Sequence, residues 1–107
     1  MTAALQALQD QYDLLTNSLP DLLEACHGDA GKMDAINTQY AASEANYRKC
    51  INKIFNDNDP SVQTLVAQMK KDQTALTAAV AHIGEIAKVI TAITTAVQTG
   101  TSLAAKV

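Results

Sequence analysis

The chain has 107 residues, 48% of them hydrophobic but only 4% aromatic, with four glycines, two prolines and two cysteines. That is the length of one domain, with too little turn chemistry for a many-stranded β fold, too few cysteines for a disulfide scaffold and too much apolar content for a disordered chain. A net charge of −3 argues against nucleic acid as a partner, because phosphate binding needs a basic stripe.

The first segment places apolar residues at Leu5, Leu8, Tyr12, Leu15, Leu19, Leu22 and Cys26, in alternating steps of three and four. That is a heptad seam, and it predicts a helix over about residues 3–27. Pro20 lies inside it. Because the seam keeps its phase across the proline, a kinked but continuous helix is expected, stopping at Gly28.

Asp29 is placed to cap the second segment, whose seam reads Met33, Ile36, Tyr40, Ser43, Tyr47, Cys50 and Ile54. A helix over about 30–56 follows, broken at Asn56-Asp57-Asn58-Asp59-Pro60. Asp59 as N-cap and Pro60 in the first turn then open the third segment. There Val62, Met69, Leu76, Ile83, Ile90, Val97 and Ala104 recur every seventh position, with Asp72 and Gly100 interrupting the companion row of Leu65, Ala79, Ile86 and Ile93. One helix over about 60–98 is expected, with 99–107 frayed beyond it. The fold class is therefore all-α: a single-domain antiparallel bundle of three long helices, the last either straight or kinked at Gly84 to give a fourth.

Helix lengths make the third segment informative. The first two helices form a hairpin of roughly 25 residues a side, and the third outruns it near residue 85 by about 21 Å. Val and Ile side chains left in water forgo about 1.5–3 kcal/mol each of burial, so this stripe needs a cover. The segment 89–97 is also rich in β-branched residues, which lowers its intrinsic helix propensity. Folding back, pairing with a second copy, or docking on another protein would each cover it, and pairing is the favoured expectation. Ile86, Val89, Ile90, Ile93 and Val97 are the expected interaction surface.

Charge is unevenly placed. Residues 1–30 carry Asp10, Asp13, Asp21, Glu24 and Asp29 with no Lys or Arg, whereas Arg48, Lys49 and Lys53 cluster, as do Lys70 and Lys71. An acidic helix packed beside basic ones is expected, with Asp10 beside Arg48 and Glu44 close to Lys70 and Lys71.

Reactive groups are sparse. A composite Cys26/His27/His82 site with Asp29 nearby is conceivable, but a core thiol and two surface histidines explain the same residues. Cys26 and Cys50 fall at opposite ends of the hairpin, too far apart to bridge, and Tyr40 and Tyr47 read as core. No phosphate loop, nucleophile elbow or zinc-helix motif is present, so no catalytic residue, cofactor or metal is expected.

Ile83-Gly84-Glu85-Ile86-Ala87-Lys88-Val89-Ile90-Thr91-Ala92-Ile93 resembles a stretch of the cytoplasmic signalling helix of bacterial chemoreceptors. The resemblance spans about a tenth of the chain, lacks the receptor's hairpin tip and returning arm, and implies a packed, self-associating helix without a signalling role. In size and hairpin character the chain is also similar to the small secreted WXG-type bacterial proteins, but their Trp-x-Gly turn is absent.

The expected function is that of a non-enzymatic interaction protein, binding itself or another helical protein through residues 83–98. The alternative is a membrane-active or specialised-secretion protein whose low-charge segment 75–97 contacts a membrane. The N-terminus lacks the charged and apolar regions of a secretory signal, and 75–97 is interrupted by His82, Glu85 and Lys88. A cytoplasmic protein is the expectation, with secretion by a route that needs no cleavable signal left open.

Overall fold

The structure, a computed structural model, describes residues 2–107 as four helices: α1 (Ala3–Ala25), α2 (Ala30–Cys50), α3 (Pro60–Ala81) and α4 (Ile86–Ala104). They form an elongated bundle of 44 × 22 × 18 Å. α1 packs on α2 and α3, α4 packs on α3 and α2, and α1 meets α4 across the centre. Among the described residues the backbones of α2 and α3 make no close approach, so the 51–59 connection crosses one end of the bundle diagonally.

The helix starts follow capping chemistry. Thr2 accepts the Leu5 amide at 3.1 Å, Asp29 accepts that of Lys32 at 3.1 Å, and Asp59 accepts that of Ser61 at 2.8 Å with Pro60 in the first turn. Each side-chain oxygen satisfies an amide that the helix itself leaves unpaired. The Ser61 hydroxyl and amide also hold the Asp59 carboxyl below its usual range. α1 runs unbroken through Pro20 and ends where His27 (φ 49°) and Gly28 (φ 78°) take left-handed backbone. Gly28 turns there without the steric cost a side chain brings.

Two boundaries differ from the heptad reading. α2 stops at Cys50, not near 56, because Phe55 turns inward to 3% exposure and covers the bundle end beneath the diagonal connection. Ile54, the expected last seam position, is left 90% exposed. The third segment is two helices. α3 ends at Ala81, a turn over 82–85 is closed by the Glu85 amide on the His82 carbonyl at 3.0 Å, and α4 returns antiparallel. The turn spreads over four residues instead of resting on Gly84, whose φ is not left-handed. Breaking the helix forgoes about four backbone hydrogen bonds worth roughly 1 kcal/mol each. Burying Ile86, Val89, Ile93 and Val97 returns about 1.5–3 kcal/mol apiece, so folding back wins.

α4 also continues past its expected end. Residues 99–104 are helical, with Gly100, Leu103 and Ala104 buried, so this stretch is packed and not frayed. Its threonines are accommodated by bonding back along the helix: Thr91, Thr94 and Thr101 donate to the carbonyls of Ala87, Ile90 and Val97 at 3.1, 2.8 and 3.0 Å.

Apolar burial falls into two clusters. One gathers Leu5, Leu8, Cys50, Phe55, Val62, Met69 and Leu103; the other gathers Leu15, Leu22, Ile36, Leu76, Val89, Ile93 and Val97. Between them lies a layer of polar side chains. Gln11, 1% exposed, donates to the Ala96 carbonyl at 2.8 Å, and Asn46 donates to the Thr101 hydroxyl at 3.0 Å. Thr99 and Gln68 donate to the two carboxylate oxygens of buried Asp72 at 2.7 and 2.8 Å. Asp72 and Gly100, the two interruptions of the heptad row, belong here. Gly100 is needed for close approach, since a Cβ there would sit 2.8 Å from the Gln11 Oε1 atom.

If α4 is integral to the core, Ile93→Ala should lower unfolding free energy by about 2–5 kcal/mol. A chain ending at residue 83 should lose cooperative unfolding. Denaturant titration followed by circular dichroism checks both, and an independently folded 1–83 bundle would contradict them. Gly100→Ala should destabilise by about 1–2 kcal/mol through displacement of Gln11. In a Gln11→Ala background the same change should stabilise by up to about 1 kcal/mol, the ordinary gain in helix propensity. The reversal of sign identifies the contact.

Candidate functional site

Ile86, Val89, Ile93 and Val97 are at most 8% exposed inside the chain's own core, and Ile90 is half-buried against the same cluster. The expected interaction surface is therefore not available on the folded chain. α3 and α4 shield each other, and α4 also packs on α2. Segment 75–97 is likewise occupied, with Leu76 buried alongside these residues. Among the described residues no helix is long and apolar enough to cross a membrane. The stretch resembling a chemoreceptor helix begins in the 82–85 turn, and its helical part packs within the chain.

The reactive groups stay apart. Cys26 is buried and its thiol donates to the Leu22 carbonyl at 3.3 Å, while His27 and His82 are exposed. Among the described residues no three His, Cys, Asp or Glu side chains gather to hold a metal ion. Cys26 and Cys50 are free thiols in separate clusters. Burial pushes both thiols up, with Asp29 adding to the effect at Cys26, so neither carries a ready thiolate. An open groove of about 660 Å³ lies between the start of α3 and the end of α4, lined by Ser61, Thr64, Leu65 and Lys106 among others.

The acidic α1 packs beside α2 and α3, which carry the basic residues, but no ion pair joins these helices among the described residues. Their ion pairs are Lys32–Asp29 at 3.9 Å, Arg48–Glu44 at 3.7 Å and Lys88–Glu85 at 3.3 Å, each local to one helix or its cap. Glu44 pairs along its own helix and not with Lys70 or Lys71, because α2 and α3 lie on the diagonal. Asp10 faces Gln6 (2.7 Å) in place of Arg48. Asp13, Asp21 and Glu24 on α1, and Lys49 and Lys53 at the far end of α2, are thus without an ionic partner among the described residues.

Two surface features remain. One is aromatic and lies in the outer seam of α1 and α2. The Tyr12 ring sits 5.7 Å from that of Tyr40 and 5.8 Å from that of Tyr47, stacked on the latter at 20°. The Tyr12 hydroxyl donates to Glu44 Oε2 at 2.9 Å, and the Thr16 and Tyr40 hydroxyls share a bond of 3.2 Å. These rings are half-buried, and Tyr47 and Tyr40 pack against the first and second core clusters respectively, at their margins. The other is apolar: among the described residues Ile51 (45%), Ile54 (90%) and Val107 (40%) are the exposed large hydrophobics. Ile51 continues the α2 face of Tyr40, Glu44 and Tyr47 by helical spacing, which sets it beside the aromatic feature. Heptad spacing marks Tyr12, Tyr40 and Tyr47 but is silent on how far they are covered, and it assigns Ile54 to the wrong side.

Comparison with known protein families, curated proteins and solved structures gives no significant match.

The tyrosine cluster has a titration signature. The Tyr40 hydroxyl and then the Glu44 carboxylate hold the Tyr12 phenol in its protonated form, raising it from 10.0 to about 12. Its contribution to stability is full below pH 10 and is lost as the pH rises through about 12. Tyrosinate absorbance should show one phenol ionising near pH 12, a step removed by Tyr12→Phe.

Proposed function

We propose that the chain is a non-enzymatic interaction module that binds a second helical chain through its α1–α2 face and the adjoining loop, with Ile51 and Ile54 as apolar anchors. One observation carries this reading: Ile54 stands 90% exposed at the tip of a connection whose next residue, Phe55, is buried. An isolated exposed aliphatic is ordinary on any surface. Here Ile51 lies one helical turn beyond Tyr47 of the half-exposed tyrosine cluster, Ile54 follows three residues on, and Arg48, Lys49 and Lys53 flank both in sequence. Aromatic and arginine side chains around an apolar anchor are the usual make-up of a strong contact. The surface differs from the 83–98 stripe because that stripe is consumed in folding.

A photo-crosslinking residue at position 54, introduced in cells that produce the chain, should yield a discrete adduct that the same residue at exposed Thr77 does not. With the crosslinker moved to position 51, Ile54→Asp should abolish the adduct while changing stability by no more than about 0.5 kcal/mol. Equal yields at positions 54 and 77 would reject the interaction surface.

A further inference from the structure

We infer that α4 is exchangeable between copies of the chain. The 82–85 turn opens into helix, α3 and α4 become one rod over 60–104, and each copy's α4 docks in the bundle of the other. The inference goes beyond the interaction reading above and does not rest on the α1–α2 face.

The three connections of the bundle differ in what holds them bent. Between α1 and α2, His27 and Gly28 take left-handed backbone and the Asp29 carboxylate caps α2. Between α2 and α3, Phe55 is buried and Asp59-Pro60 fixes the start of α3. Among the described residues of the 82–85 turn, none has a left-handed φ, none is proline, and Glu85 offers α4 no side-chain cap. Two backbone bonds close the turn, His82 to the Ala79 carbonyl and Glu85 to that of His82, both 3.0 Å. His82, Gly84 and Glu85 are exposed, and only Ile83 is half-buried.

The inward rows also stay in phase across this turn. Val62, Met69 and Leu76 of α3 continue through Ile83 to Ile90, Val97 and Ala104 of α4 in steps of seven, and Ala79 is followed by Ile86 and Ile93. Cys26 to Met33 is a step of seven as well, but there the left-handed residues and the cap oppose a continuous helix. A helix straightened at 82–85 presents the inward faces of α3 and α4 on one side. Paired antiparallel with its copy about a two-fold axis at the turn, it sets each α4 beside the other copy's α3, in the direction α4 now has.

The contacts of α4 are then remade between copies, including the bonds from Gln11 to the Ala96 carbonyl, Asn46 to Thr101 and Thr99 to Asp72. The single chain forgoes about four backbone hydrogen bonds at the turn in order to bury α4. The exchanged pair has both the bonds and the burial, in each copy. That gain offsets the entropy lost on association, so concentration sets the balance.

The test holds the purified full-length chain at a series of concentrations until the monomer–dimer ratio is constant, then reads it by sedimentation velocity. An elongated dimer, about twice the 44 Å length of one bundle, is expected at high concentration. At Gly84 an added Cβ meets nothing within 4 Å, so Gly84→Ala favours helix without a clash. Acting at two hinges, it should raise the association constant at least about tenfold. Gly84→Pro, which interrupts a continuous helix, should lower it by more than about a hundredfold. Inserting two glycines after Gly84 should do the same by taking α4 out of phase, with circular dichroism showing a folded monomer.

Exchange itself is read with a short bis-maleimide on Thr64→Cys/Ser102→Cys, two exposed positions that line one groove between α3 and α4. On a denaturing gel the dimer fraction should give two joined chains, and the monomer fraction one looped chain. A monomer at every concentration, even with Gly84→Ala, would overturn the inference. So would a dimer whose link stays within each chain, or one indifferent to both the Gly84 variants and the insertion.

Discussion

The apolar face of α4 is the constraint on which the rest of the molecule turns. Ile86, Val89, Ile93, Val97 and Leu103 all lie on it, and each is at most 8% exposed. The stretch is rich in β-branched residues, so little of its helical stability is intrinsic, and packing must supply it. The hairpin of α1 and α2 is too short to shelter a continuous third helix, and only reversal at 82–85 brings the face back over the core. Once α4 lies against both α2 and α3, those two helices are held on the diagonal. The connection between them must then cross the end of the bundle. Phe55 is buried, and Ile54 expelled, as a consequence of that crossing.

The polar layer gives this packing its register. Two apolar clusters built from interchangeable Leu, Ile and Val would tolerate sliding of α4 along the bundle. Gln11, Asn46 and Asp72 resist it, because a slip would strand buried hydrogen-bonding groups at a cost of about 1–3 kcal/mol each. Gly100 fits the same scheme: only where α4 lacks a side chain can Gln11 reach across to the Ala96 carbonyl. The layer thus trades some apolar burial for a single alignment of four helices, the role that isolated polar residues play in coiled-coil seams.

What the fold consumes and what it leaves over are two sides of one allocation. The most apolar segment is used internally, and the apolar surplus moves to the α2–α3 connection. The charges behave similarly. Ion pairs form within single helices or their caps, leaving an acidic α1 and a basic α2 terminus unneutralised by each other. The proposed contact lies where both surpluses coincide with the half-exposed tyrosines. The thiols are buried apart and the histidines stand in solvent.

The sequence by itself determined that the chain is helical, where three of the helices begin, and which faces turn inward. Asp29, Asp59-Pro60 and Gly28 act through backbone geometry and capping bonds that depend only on near neighbours. Pro20 left the phase of its seam intact for the same local reason. It also showed that the C-terminal stripe must be covered. The tertiary structure alone decided what covers it, because a heptad pattern is the same for one long helix and for two helices joined by a four-residue turn. The inward turn of Phe55, the pairing of Asp72 with Thr99 and the exposure of Ile54 were decided at that level too. Each depends on which helices are neighbours across the core, and that was settled by the burial of α4, not by the spacing of residues along any one helix.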